Sequence, residues 1–214
     1  KNDELTNICL LVFAAYLHKS QHCWEQKADV LRRLGVIGFC AERLGDGSEF
    51  KSLNALTVLH LYSFYKNIAA HDYLNSELVT TLTGPLMNGK VLAGQMIKVL
   101  EIISNLAELG TAFASTFYND QLIEFLLSVI GDQFWERAII KEAAKALKSL
   151  TADMNQAMLY KFAVCEVTAD RLLKSVQESN LETTLLCLEV IENLLQAEAK
   201  ICTRRDEAGI KNQF

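Results

Sequence analysis

The chain has 214 residues, of which 50% are hydrophobic and one is proline, and its formal net charge at pH 7 is −5. Because a single proline leaves long stretches free to form helices, this composition predicts a nearly all-helical protein with a large core. The acidic balance gives no broad basic surface of the kind that supplies most nucleic-acid affinity, so we expect no nucleic-acid partner.

Apolar residues recur at three- and four-residue steps along the chain, which predicts helices joined by short loops in one continuous domain. Clusters of glycine, proline and asparagine mark most of the predicted boundaries. Asn119 or Asp120 is expected to cap the helix that begins at 120, and Gly131 to end it. The predicted helices cover 3–19, 25–44, 50–70, 75–83, 90–109, 111–118, 120–130, 135–151, 155–165, 170–177 and 181–200.

The two ends of the chain lead to separate expectations. The longest apolar run, from Ile8 to Leu17, has about half the length that a membrane span needs, so none is predicted. Because the sequence starts with Lys1, we expect an excised fragment that begins within a buried helix. The segment 201–214 loses helical periodicity, and a capping helix, a flexible end and a segment folded back on the protein remain open.

An eight-residue phrase recurs at a fixed interval of 44 residues, as LEIISNLA at 100–107, AKALKSLT at 144–151 and LEVIENLL at 188–195. A looser copy, YSFYKNIA at 62–69, lies 38 residues before the first of these. A period of about 40–47 residues in a helical sequence is typical of stacked repeats, in which a unit buries its apolar face only against a neighbour. A binding surface is therefore favoured over an enzyme.

The order of short helix, middle helix and longer helix with this phrase resembles the armadillo repeat of the importin-α and β-catenin families. The resemblance implies an all-α fold, a right-handed superhelix of stacked repeats. The HEAT repeat is the alternative, although it usually has two helices per unit and a helix-kinking proline in the first of them, which this chain lacks. The predicted repeats are 1–22 (partial), 23–70, 71–109, 110–153 and 154–200, with 201–214 as a tail or cap.

In importin-like members of the family, the third helices line a concave groove and present a tryptophan followed four residues later by an asparagine. The tryptophans hold side chains of an extended peptide and the asparagines bond its backbone. By this resemblance the tryptophan positions are Ser63, Glu101, Lys145 and Glu189, so the aromatic array is absent, which argues against binding of nuclear localisation signals. The asparagine positions are Asn67, Asn105, Ser149 and Asn193.

The sequence thus predicts a non-catalytic adaptor or scaffold that binds a peptide or helix of another protein in its groove. The alternatives are a helical regulatory domain of a larger enzyme or exchange factor, or a fragment of a nuclear-transport receptor. Self-association through exposed repeat ends is a further option. The predicted partner-binding residues are Asn67, Glu101, Asn105, Lys145, Ser149, Glu189 and Asn193.

No catalytic residues, metal site or cofactor are predicted. His18 and His22 are spaced to share a helix face beside Cys23, but no further zinc ligand accompanies them. The six cysteines contain no Cys-x-x-Cys pair, so reduced core thiols are expected. An intracellular location, in the cytoplasm or the nucleus, follows from that expectation.

Overall fold

The computed structural model describes residues 2–18, 24–45, 51–65, 72–73, 76–132, 134–154, 159, 162, 166–178 and 180–211. Within these ranges the regular structure is helical and no strand occurs, which confirms the all-α prediction. The helices are α1 (Asn2–His18), α2 (Trp24–Arg33), α3 (Val36–Leu44), α4 (Leu53–Ser63), α5 (Ser76–Met87), α6 (Ala93–Ala107), α7 (Thr111–Phe117), α8 (Asp120–Ile130), α9 (Arg137–Asp153), α10 (Glu166–Glu178) and α11 (Leu181–Lys211).

The chain divides into two compact units, Lys1–Phe117 and Tyr118–Phe214. In the first unit, successive helices pair as α3 with α4 and α5 with α6, while α3 also contacts α5 and α4 also contacts α6. The pairs are therefore stacked in two layers. Helix α1 packs against α4 in the same layer, and α7 contacts α5 and α6.

The second unit contains two further stacked pairs. Helix α8 pairs with α9 and α10 pairs with α11, while α8 contacts α10 and α9 contacts α11. Leu150 is fully buried and Leu194 is 8% exposed in this unit, and Leu106 is fully buried in the first. These three leucines stand at the same position of the phrase that recurs every 44 residues, and all three are core residues.

Local sequence explains where several helices begin and end. The Asn119 side chain accepts a hydrogen bond from the Gln121 amide at 2.8 Å, so Asn119 is the N-cap of α8. The Gly131 amide bonds the last turn of that helix, as predicted. Ser52 Oγ caps α4 in the same way by accepting from the Ala55 amide at 3.2 Å.

The predicted helix 25–44 is two helices, because Gly35 adopts a left-handed conformation with φ of 66° between α2 and α3. The Gly35 amide bonds the Arg32 carbonyl, which closes the end of α2. The prediction missed this break since the apolar periodicity continues through it.

Other predicted boundaries were also wrong. Helix α4 ends at Ser63 rather than at 70. Helix α5 passes the predicted stop at Gly84 and Pro85 and ends at Met87, since a proline in the last turn removes only one helical hydrogen bond. Helix α10 starts at Glu166 rather than at 170. Helix α11 does not end at 200, because residues 201–208 contain no glycine or proline to stop it. The predicted helix 155–165 lies mostly outside the described residues.

The predicted buried first helix is buried on one side only. Leu10 and Leu17 of α1 are buried, whereas Leu5, Ile8 and Val12 are each more than half exposed. Since α1 packs on α4, the buried side is the one that α4 covers.

Candidate partner-binding face

The predicted partner-binding residues lie on the later helix of each stacked pair. Glu101 and Asn105 are on α6 in the first unit. In the second unit, Lys145 and Ser149 are on α9, and Glu189 and Asn193 are on α11. Asn67 lies outside the described residues. Within each unit, the described residues of this set therefore lie on one helix or on two helices that contact each other.

In the first unit, two polar contacts join α4 to α6. His60 Nε2 lies 2.5 Å from Glu101 Oε2, and both side chains are largely buried. Asn105 Nδ2 donates to Ser63 Oγ at 3.0 Å, and Ser63 Oγ donates to the His60 carbonyl at 2.7 Å. Asn105 is only 7% exposed, so its amide here holds two helices of the protein together.

In the second unit, the corresponding contacts join α9 to α11. Lys148 and Glu189 form an ion pair between side chains that are 39% and 46% exposed. Asn193 Nδ2 donates to Thr151 Oγ1 at 3.1 Å, and Thr151 Oγ1 donates to the Lys148 carbonyl at 3.0 Å. Asn193 thus bonds α11 to α9, as Asn105 bonds α6 to α4.

A second ion pair lies about two helical turns further toward the start of the same helices. Lys141 Nζ is 2.7 Å from Glu182 Oε1, between α9 and α11. The hydrogen bond to Glu182, together with its negative charge, raises the pKa of Lys141 above its usual value. Lys141 therefore stays protonated in its ion pair with Glu182.

The contacts of the two units match position by position. The four residues of the first unit each lie 88 residues before their counterparts in the second, which is two intervals of 44. Equivalent helices are therefore packed in the same register in both units. The matched residues are His60 and Lys148, Ser63 and Thr151, Glu101 and Glu189, and Asn105 and Asn193.

This register corrects the alignment of the looser sequence copy. If Ser63 corresponds to Thr151, then 56–63 rather than 62–69 is the segment equivalent to 100–107. The sequence supports that choice, since Leu56 then matches Leu100 and the buried Tyr62 matches Leu106. The asparagine position of this copy falls on Leu61.

The remaining predicted site residues differ in exposure. Lys145 has a side chain that is 39% exposed, and its Nζ lies 3.7 Å from Glu142 Oε2 on the same helix. Ser149 is only 3% exposed. In the second unit, a partner would therefore meet mainly the charged side chains of Lys145, Lys148 and Glu189.

Sequence reasoning missed His60 and Thr151, and it assigned Ser63 to a tryptophan position rather than to a bond with Asn105. A usable signal was present, because His60 and Glu101, like Lys148 and Glu189, are 41 residues apart, and each amide-to-hydroxyl bond joins residues 42 apart. These separations are slightly less than the repeat interval of 44 residues, because side chains of α6 and α11 reach back to α4 and α9 of the previous helix pair. A search for complementary residues at that spacing would have found them.

The described residues include no group of three or more histidine, cysteine, aspartate or glutamate side chains placed to hold a metal ion. His18 is exposed at the end of α1, and His22 and Cys23 lie outside the described residues. No described helix combines the length and apolar character that a membrane crossing requires.

Two of the cysteines are buried in the helical core. Burial raises the pKa of the Cys40 thiol to about 12 and that of the Cys187 thiol to about 11. Both are free thiols, and their high pKa values keep them protonated and unreactive at neutral pH. They act as small apolar core residues.

No protein-family model matches the chain, and no curated protein matches it significantly.

Proposed function

We propose that this chain is a non-catalytic protein–protein interaction module built of armadillo-like repeats. Its partner is a peptide or helical segment that lies along the later helices of the stacked pairs within one unit. These are α4 and α6 in the first unit and α9 and α11 in the second.

The observation that carries the proposal is the repetition of one polar contact pattern in both units. Asn105 bonds Ser63 as Asn193 bonds Thr151, in helices that are two repeat intervals apart. Arrays of equivalent helix pairs present extended faces, and such faces commonly serve as binding surfaces. The repeated register therefore supports a repeat protein in which each unit presents its later helices side by side.

The chemistry of the face favours a partner with charges of both signs. In the second unit Lys145, Lys148 and Glu189 are partly exposed, so two cations of α9 and one anion of α11 are accessible. Exposed ion pairs contribute only about 0.2–1 kcal/mol each, and they set orientation more than affinity. The buried Asn105 supports the face by fixing the helix register beneath it.

The test begins with a library of random peptides displayed on phage and selected on the whole chain. Affinities of the enriched peptides are then measured by calorimetry for the wild type, Lys145→Glu and Glu189→Lys. We expect each charge reversal to change the affinity by about two- to fivefold at low salt, with a smaller effect at high salt. Lys174→Glu on α10 is the matched control, since Lys174 is exposed on a different helix.

Two outcomes would contradict the proposal. In one, the selected peptides bind both charge-reversed variants as tightly as the wild type. In the other, the control variant weakens binding as much as the variants on the face do. Either result would place the binding surface away from the later helices.

A further inference from the structure

Helix α11 carries a row of exposed leucines on the side that does not face α9. Leu185, Leu188 and Leu195 are 52%, 46% and 60% exposed. Opposite to this row, Cys187, Val190 and Leu194 of the same helix are buried. Helix α11 is therefore apolar on two sides, of which the protein covers one. The exposed side, formed by Leu185, Leu188, Glu192 and Leu195, is called the outer face of α11 below.

The interval of 44 residues relates the outer face of α11 to the residues of α9 that contact α11. Lys141, Ala144, Lys148 and Thr151 of α9 precede Leu185, Leu188, Glu192 and Leu195 by that interval. Three of these α9 residues contact α11 directly, through Glu182, Glu189 and Asn193. Ala144 is fully buried. The residues of the outer face of α11 are thus equivalent to the residues by which α9 contacts α11.

The residue types on the outer face indicate which side chains a helix docked on it would carry. Where α9 has Lys148, which pairs with a glutamate, α11 has Glu192, so the charge requirement is reversed. Where α9 has Lys141 and Thr151, which bond polar side chains, α11 has Leu185 and Leu195. A helix docked in the same register would carry a basic residue against Glu192 and apolar residues against both leucines.

We propose that the outer face of α11 binds an amphipathic helix of a partner protein in the register of the α9–α11 contact. The partner helix has an apolar residue, a lysine or arginine seven positions later, and another apolar residue four positions after that. This spacing is the one that separates Glu182, Glu189 and Asn193 in α11. The site is distinct from the polar face between α9 and α11, so it does not depend on the function proposed above.

Two synthetic helical peptides test the proposal on the whole chain. Both have the spacing Leu-x6-z-x3-Leu in an alanine- and glutamine-rich helix, with z as lysine in one and glutamate in the other. We expect the lysine peptide to bind the wild type about two- to fivefold more tightly than the glutamate peptide, because only lysine pairs with Glu192. Glu192→Lys should reverse that preference while leaving the fold unchanged.

Apolar contact is tested by Leu188→Glu, which we expect to weaken the lysine peptide by about tenfold or more. Leu173→Glu is the matched control, because Leu173 is 55% exposed on α10 and should leave binding unchanged. Circular dichroism melts establish that each variant folds. Should Leu188→Glu not fold, the reversal of preference in Glu192→Lys decides the question.

The proposal is overturned if the two peptides bind equally to both the wild type and Glu192→Lys. It is also overturned if the wild type binds neither peptide. The last outcome is measured by sedimentation velocity. If the wild type is a dimer that binds neither peptide, and Leu188→Glu is a monomer, the occupant of the outer face is a second copy of the chain.

Discussion

Lys148 and Glu189 pair across α9 and α11 at the positions that His60 and Glu101 occupy between α4 and α6. The first pair is partly exposed, whereas the side chains of the second are 14% and 26% exposed. The same position in the repeat therefore holds a pair of side chains in both units, but the pair is more deeply buried in the first. Its contribution to stability should differ between the two units.

Glu189→Lys should lower the free energy of unfolding by about 0.2–1 kcal/mol, because it places a lysine against Lys148 at a partly exposed site. Lys148→Glu combined with Glu189→Lys should recover most of the loss. Urea denaturation at about 0.02 M and about 0.5 M salt measures both effects, with the smaller difference at high salt. Equal stability of the single and double variants at low salt would argue against the ion pair.

Asn105→Ala should destabilise the protein by about 0.5–1.5 kcal/mol, because the bond to Ser63 is lost at a buried position. A double-mutant cycle with Ser63→Ala, measured by chemical denaturation, should give a coupling energy of similar size. Additive single effects would show that the two side chains do not interact. Asn193 and Thr151 provide an independent repetition of the experiment in the second unit.

Leu150→Ala should cost about 2–5 kcal/mol through the cavity it leaves, since Leu150 is fully buried in α9. Leu173→Ala, at a half-exposed position on α10, is the control and should cost much less. Both are measured by urea denaturation. A loss under about 1 kcal/mol for Leu150→Ala would mean that the core of the second unit is not packed as described.

Alkaline pH should destabilise the first unit. Burial raises the pKa of Tyr73 well above its usual range, and the Tyr73 hydroxyl donates to the Leu59 carbonyl at 2.6 Å. Cys40 has a pKa raised to about 12. Because the unfolded chain releases these protons at lower pH than the folded one, stability is fully present below about pH 9 and falls as pH rises, by up to about 1.4 kcal/mol per pH unit for each group.

Tyr73→Phe tests this assignment, since it removes one of the buried protons. The variant should lose stability at pH 7 but should depend less on pH between about 9 and 11. Tyr16→Phe, at an exposed position on α1, is the control. Unfolding is followed by circular dichroism in urea, and an unchanged pH dependence in Tyr73→Phe would exclude Tyr73 as a source of the effect.

The sequence predicted best those features that depend on residues close together in the chain. Leu106 and Leu150 recur at the helical repeat interval inside matching phrases, and both are fully buried. The cap at Asn119 follows from the local chemistry of one side chain. The break at Gly35 was missed, because a left-handed glycine needs only one residue and leaves the apolar pattern intact.

The candidate site was less accessible to sequence reasoning because its contacts join different helices. Asn105 and Glu101 were singled out from a resemblance, but their contacts with Ser63 and His60 depend on how α4 and α6 pack. The error in aligning the looser copy had the same origin, since local similarity favoured 62–69 and only the cross-helix bonds identify 56–63. The partner-binding roles of the seven predicted residues stay predictions.

The bonds between successive later helices have a consequence for how such a chain can change in evolution. Each one reaches back to a helix one repeat earlier, as Asn193 does to Thr151, and the same partners recur in the other unit. The bonded positions recur 88 residues apart, so a duplication or deletion of 88 residues keeps each asparagine opposite a hydroxyl, whereas a deletion of 44 residues can set Asn193 opposite Ala107. Repeat number in this protein can therefore change by two repeats at once without redesign of these bonds.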